Sequence, residues 1–186
     1  MPKLLVVVAS TRPGRVGPVV ADWFLARAKD HAGFDVEVAD LAELNLPMMD
    51  EPHHPRLKRY EHEHTKNWSA IVESADAFVF VMPEYNYTFT APLKNAIDYL
   101  HGEWAYKPVG FVSYGGLSGG LRAVQSLKGV VTTLNMFPLA ASVALPFVPS
   151  LITDGALHPN ELTEGSAKTM LDELLKVSAA LQTLRQ

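Results

Sequence analysis

Three short apolar runs, Leu4 to Ala9, Ala77 to Met82 and Pro108 to Ser113, are spaced along the chain, with residues of helical spacing between them. An apolar run without a polar face belongs to a strand buried on both sides, as in the parallel sheet of an α/β protein. After the first run, Val16, Val19, Val20 and Trp23 recur at helical intervals, which predicts a helix from near Val16 to about Ala28, broken by Gly33. Phe34, Val36 and Val38 then alternate with Asp35, Glu37 and Ala39 in the manner of a strand nearer a sheet edge, closed by Asp40.

The longest irregular connection is expected at residues 45–56, where Pro47, Pro52 and Pro55 stand close together. Trp68, Ile71, Val72 and Ala75 restore a helix before the third strand. Pro92 suits a first helical turn, with Thr90 near the cap and Leu93, Ala96, Ile97 and Leu100 behind it. A helix from about Leu121 to Asn135, a strand over Leu139 to Leu145, a loop to about Asn160 and an amphipathic helix around Leu171 to Ser178 complete the chain. The order βαβαβαβαβα predicts one α/β domain over residues 1–186, its five-stranded parallel sheet joined by right-handed crossovers and covered by helices on both faces.

Sixteen basic against twenty acidic side chains give a formal net charge of −4, so no overall positive field gathers nucleic acid or anionic lipid. An anion site must therefore be local. The absence of cysteine removes disulfides, thiolate metal sites and thiol nucleophiles, and fits a reducing compartment. The first apolar run is followed by Arg12 and Arg15, which reads as a strand and its loop rather than a secretion signal. No apolar stretch approaches the roughly 18 to 20 residues of a membrane span. A cytoplasmic protein is expected, with neither nucleic acid nor membrane as a partner.

The loops leaving the first, third and fourth strands carry the chemistry, because open α/β sheets bind ligands beyond the carboxyl ends of their strands. Ser10, Thr11, Arg12 and Arg15 lie at the start of the first helix, where unpaired N–H groups and the helix dipole suit a phosphate. The alternative is a capped helix with two solvated arginines. A P-loop lacks its lysine, and a dinucleotide fingerprint lacks its glycine spacing, since only Gly14 and Gly17 are present. Asp40 mimics the acid that binds a ribose but reads better as a loop starter. Pro83-Glu84-Tyr85-Asn86-Tyr87 offers a proline-directed backbone and aromatic surface for a flat heterocycle, and Gly115-Gly116 lets the chain approach a ligand closely.

These segments, together with Pro92-Leu93-Lys94-Asn95-Ala96-Ile97-Asp98, Glu103-Trp104, Lys107-Pro108 and Gly116-Leu117-Ser118-Gly119-Gly120, resemble the flavodoxin-like NADPH-dependent FMN reductases, which include quinone, azo-dye and chromate reductases. The resemblance runs from residue 3 to about 145. It implies a flavodoxin-like three-layer sandwich and FMN held without a covalent bond. The phosphate would rest on Ser10, Arg12, Arg15 and the N–H groups of Val16 and Gly17. The ring would lie against Pro83, Glu84, Tyr85, Asn86 and Tyr87 on one side and Ser113, Tyr114, Gly115 and Gly116 on the other. It further implies electron transfer from NADPH through FMN to small acceptors such as quinones, azo compounds, free flavin or metal oxyanions. No side chain acts as a catalytic acid, base or nucleophile in this reading. Many relatives carry Ser where Arg15 stands and Asn where Gly17 stands. Family members are dimers or tetramers, with the helix after Pro92 at the subunit contact.

His53, His54, His62 and His64 lie near Glu51, Glu61 and Glu63, yet the two-residue spacing of His62 and His64 places them on different faces of a helix, so no metal site is expected. Lys94 and Asp98, four apart, read as an exposed ion pair. Glu84 has no partner assignable from sequence; an arginine of another subunit is one candidate. The competing function is a flavodoxin-type electron carrier, or an FMN-binding module, without NADPH turnover.

Overall fold

Strand β1 (Lys3–Val8) runs between β2 (Asp35–Asp40) and β3 (Ala77–Pro83), and β3 is joined on its far side by β4 (Pro108–Gly115), all in parallel. The computed structural model describes residues 1–185; Gln186, the last residue of the expected domain, lies outside the described residues. The fifth strand expected over Leu139 to Leu145 forms only at its end, from Val143; residues 139–142 are not strand, and a separate two-residue strand precedes them. Phe137–Pro138 (β5) and Val143–Pro146 (β6) pair separately with the beginning and the end of β4, giving the order β2-β1-β3-β4-β5 with β6 also on β4. Pro138, which has no N–H for a ladder, stands at the interruption.

Helices α1 (Gly17–His31) and α6 (Glu161–Leu181) cover one face of the sheet; α3 (Glu63–Ser74), α4 (Ala91–Asp98) and α5 (Leu121–Thr133) cover the other. The unbroken apolar strands supply both cores by alternation. Leu5, Val7, Phe78, Phe80 and Met82 face one helical layer, and Leu4, Val6, Val8, Val79 and Val81 face the other, all of them buried. Val38, by contrast, is half exposed on edge strand β2. The architecture is the flavodoxin-like three-layer α/β fold expected.

Several short elements were not anticipated. Asp40 ends β2 and caps the four-residue helix α2 (Leu41–Leu44) by accepting from the Ala42 N–H at 2.9 Å. Between β6 and α6, a 3₁₀ turn over Val148–Leu151 leads into the hairpin of β7 (Ile152–Thr153) and β8 (Ala156–Leu157). The cap expected at Thr90 is present: its hydroxyl accepts from the Leu93 N–H at 3.3 Å and donates to the Ala9 carbonyl at 2.8 Å. Glu103 and Trp104 turn inward, the carboxylate receiving the Tyr60 and Ser69 hydroxyls and the indole donating to the Ile97 carbonyl. They brace α3 and α4 away from the sheet's ligand edge.

The strand order reverses between β1 and β3, since the chain leaves β1 toward β2 and returns to the other side. That reversal opens a crevice above the carboxyl ends of β1 and β3, where the loops after both strands meet.

Candidate functional site

A cleft of about 550 Å³ occupies this crevice. Its walls are Arg12, Arg15 and Val16 from the loop after β1, Pro83, Glu84 and Tyr85 from the end of β3, and Tyr114, Gly115 and Gly116 from the end of β4. A fourth wall, Phe147 to Ser150, comes from the turn after β6. The volume lies in the range of small-molecule and cofactor sites.

In the first loop, Pro13 and Gly14 form a tight turn closed by the Arg15 N–H on the Arg12 carbonyl at 3.1 Å, with Gly14 at φ +71°. Helix α1 then begins with Val16 as its cap residue, no side chain capping it and no acidic residue in its first turn. Its amino-terminal N–H groups thus present positive potential at the cleft. Ser10 and Tyr114 are buried, and neither hydroxyl has a hydrogen-bond partner. Both converge on Gly17, where an added Cβ would collide with Ser10 Oγ and stand 2.9 Å from the Tyr114 hydroxyl. Buried hydroxyls are rarely left unpaired, and two of them beside an uncapped helix terminus fit a bound anion that accepts from both. Burial pushes the Tyr114 phenol up to about 12, so it remains a donor at neutral pH.

The two arginines of this loop differ. Arg12 is exposed and belongs to no ion pair among the described residues. Arg15 is locked: its fork meets both Asp40 oxygens at 2.6 and 2.7 Å, and Nη1 also donates to the Ser10 carbonyl at 2.7 Å. The hydrogen bond to Asp40 dominates burial and holds the Arg15 guanidinium still more firmly charged. Asp40 is thereby a caliper for the loop as well as a helix cap.

Pro83 and Glu84 leave β3 directly into the cleft, and the Glu84 N–H bonds the Tyr114 carbonyl at 2.9 Å. Tyr85 and Thr88 then pair through two backbone bonds, 2.9 and 3.0 Å, across a turn whose central residues Asn86 and Tyr87 have φ of +49° and +70°. This is the two-residue hairpin turn with both central residues left-handed, a conformation that asparagine adopts readily and tyrosine only at a cost. Asn86 and Tyr87 are exposed beyond the cleft rather than in its lining. Glu84 finds its partner in the same chain: Ser118 Oγ donates at 2.7 Å, and Arg122 donates through its backbone N–H and Nη1, each at 3.1 Å. Burial works to raise the Glu84 carboxyl, but these donors outweigh it and hold it below the ordinary carboxylate range.

Ser113 lies behind the cleft, fully buried, its hydroxyl donating to the Gly119 carbonyl at 2.8 Å. Gly120 caps α5 at φ +88°, where a Cβ would stand 2.7 Å from that of Ser113, so only glycine brings the loop this close to β4. Sequence reading singled out Asp40 and Ser118 but missed their pairing with Arg15 and Glu84, and it missed Arg122 and the wall at Phe147 altogether. Phe147 itself is left-handed at φ +49° and half exposed, with its N–H on the Gly116 carbonyl.

The histidines lie elsewhere. His62 precedes α3 in extended conformation, so its ring stacks on that of His64 at 5.2 Å instead of facing away from it. His64 pairs with Asp50 at 2.9 Å. Lys94 and Asp98 form the expected half-exposed pair on α4.

The family model described as NADPH-dependent FMN reductase matches residues 2–149. An NAD(P)H-dependent FMN reductase of Schizosaccharomyces pombe is 42% identical over 160 residues, which cover 85% of this chain and 80% of that protein. A probable NADPH:quinone oxidoreductase of Oryza sativa is 37% identical over 107 residues, 54% of each chain. Among solved structures, the flavoenzyme NAD(P)H:(acceptor) oxidoreductase FerB of Paracoccus denitrificans superposes with a TM-score of 0.75 over 97% of this chain and 98% of its own, at 20% identity.

Proposed function

The chain belongs to the NADPH-dependent FMN reductase family, and from that premise we propose that the cleft between β1, β3, β4 and the Phe147 turn is its FMN site. The observation that carries this reading is the pair of unpartnered buried hydroxyls, Ser10 and Tyr114, facing an uncapped helix amino terminus. Arg12, the Ser10 and Tyr114 hydroxyls and the first N–H groups of α1 would hold the phosphate; Pro83 to Tyr85 and Tyr114 to Gly116 would flank the ring. Held there, FMN would supply the transfer of electrons from NAD(P)H to an acceptor.

The chain's own part is to bind, orient and exclude. Glu84 is spent on three hydrogen bonds and Tyr114 keeps its proton, so neither is poised to move one at neutral pH. Gly116 leaves the chain open at the cleft, with nothing within 4 Å of a Cβ there, so a ligand can approach its backbone closely. Quinones head our list of acceptors, supported by the name of the rice relative; azo compounds, free flavin and metal oxyanions follow from the same chemistry.

We further propose a homodimer or homotetramer formed by a single-domain chain. Support comes from large apolar side chains left exposed: Leu117 is 79% exposed, Met48 78%, Tyr87 67% and the cleft residue Phe147 55%. A cytoplasmic location fits a chain without cysteine; no helix among the described residues is long and apolar enough to cross a membrane.

The test is a visible spectrum of the FMN-loaded protein before and after anaerobic NADPH, followed by a quinone. Bleaching and then recovery of the flavin bands is the expected result. A flavin that binds but stays yellow would leave only a carrier or binding module.

A further inference from the structure

Arg122, at the start of α5, stands outside the cleft lining yet touches two of the features that shape it. Its backbone N–H and Nη1 both reach the Glu84 carboxylate at 3.1 Å, and its guanidinium lies over the Tyr87 ring, 4.2 Å from Cζ to the centroid. We infer that Arg122 is a positioning residue that cancels the Glu84 charge on the cleft wall and clamps the strained Asn86–Tyr87 turn beside it. The inference rests on the FMN reading of the cleft.

The electrostatic half follows from where Glu84 sits. Its side chain is only 10% exposed and lines the cleft. A bare carboxylate there would oppose any gain of negative charge by a neighbouring ring system, and low local dielectric would lengthen its reach. Compensation arrives entirely from the start of α5, as the Ser118 hydroxyl, one backbone N–H with the helix dipole behind it, and one guanidinium. Of these, only the guanidinium carries a full charge.

The conformational half follows from the turn. Tyr87 at φ +70° pays a left-handed penalty that no glycine offsets. Two backbone bonds hold the hairpin closed, and the stacked guanidinium is the further contact holding the Tyr87 ring in place. A lysine could supply the charge but has no plane to stack.

The experiment uses the full chain loaded with FMN, as wild type, Arg122→Met, Arg122→Lys and the double variant Arg122→Met/Glu84→Gln. Two quantities are read: the midpoint potential of bound FMN by dye equilibration, and amide exchange at Tyr85 and Thr88 in the FMN-free protein. Arg122→Met makes the potential more negative, and adding Glu84→Gln returns it toward wild type, a rescue that loss of packing alone does not give. Arg122→Lys keeps the potential near wild type. Exchange at Tyr85 and Thr88 quickens by about threefold or more in all three variants, as loss of an exposed cation–π contact implies. An unchanged potential in Arg122→Met, an equal fall in the double variant, or unchanged exchange overturns the inference. A wild-type protein that takes up no FMN instead defeats the functional reading, and the exchange data still decide the clamp.

Discussion

Replacing Asp40 with alanine should unfasten the first cleft loop without removing any group that touches a ligand. The side chain makes a forked pair with Arg15, at 2.6 and 2.7 Å, and caps α2 through Ala42. Pair and cap are only partly open to solvent, with side-chain exposures of 18% for Arg15 and 12% for Asp40. The pair therefore falls between the near-zero worth of a surface bridge and the several kcal/mol lost when one partner of a buried pair is removed. With a cap worth about 1 kcal/mol, the expected loss is about 2–3 kcal/mol. For a chain of this size that corresponds to a fall in Tm of about 5–10 °C, read by calorimetry on FMN-free protein. Arg15→Met should cost a similar amount, and Arg15→Met/Asp40→Ala clearly less than the sum of the two single changes, because the two groups act through each other. Arg12→Ala should leave the Tm unmoved but weaken FMN roughly tenfold or more, while sparing riboflavin, because one charge-assisted phosphate contact is lost. A fall below about 1 °C for Asp40→Ala, or single changes that simply add in the double variant, would refute the latch reading of Arg15.

Gly17→Ala should abolish tight FMN binding, since the new methyl takes the space shared by the Ser10 and Tyr114 hydroxyls; a Kd within about twofold of wild type, read by flavin fluorescence quenching, would count against the anion pocket. Lys107, buried with its ammonium on the Val72 and Glu73 carbonyls, has its pKa pulled down to about 8, chiefly by burial. The unfolded lysine binds its proton up to about 10.4, so this group makes stability rise between roughly pH 8 and 10.4, by on the order of 2–4 kcal/mol. Denaturant titrations of wild type against Lys107→Met should show that slope only in the wild type. Phe147→Gly should raise the Tm of the FMN-free protein slightly, because relief of roughly 1–2 kcal/mol of left-handed strain exceeds the roughly 0.5–1 kcal/mol that glycine adds to the freedom of the unfolded chain, while raising KM for a quinone through loss of an aromatic wall.

What the sequence made legible was decided locally. Apolar runs without alternation marked β1, β3 and β4, and the residues that follow them named three of the four cleft walls. The proline in the first turn of α4 and its Thr90 cap were likewise readable, because both effects act within one turn. The rest depended on contacts distant in sequence. Arg15 and Asp40 are 25 residues apart, and their meeting follows from β1–β2 register, in which Val8 opposes Asp40. Glu84 and Arg122, 38 apart, meet only because β3 and β4 are neighbours. The break in the last strand was hidden because Leu139 to Leu145 is apolar but for Ser142, and a single small polar residue does not reveal a break in pairing. His62 was misplaced for a simpler reason: the helix starts one residue after it, so its ring follows extended rather than helical geometry.

The Thr90 hydroxyl ties its lone proton to the Ala9 carbonyl and a lone pair to the Leu93 amide. Ala9 is bonded to Ser10, the residue whose hydroxyl we propose for the phosphate, so α4 and the mouth of β1 are riveted through a single oxygen atom. A load applied to the outer side of α4 is therefore delivered to the backbone at the end of β1 without crossing the sheet.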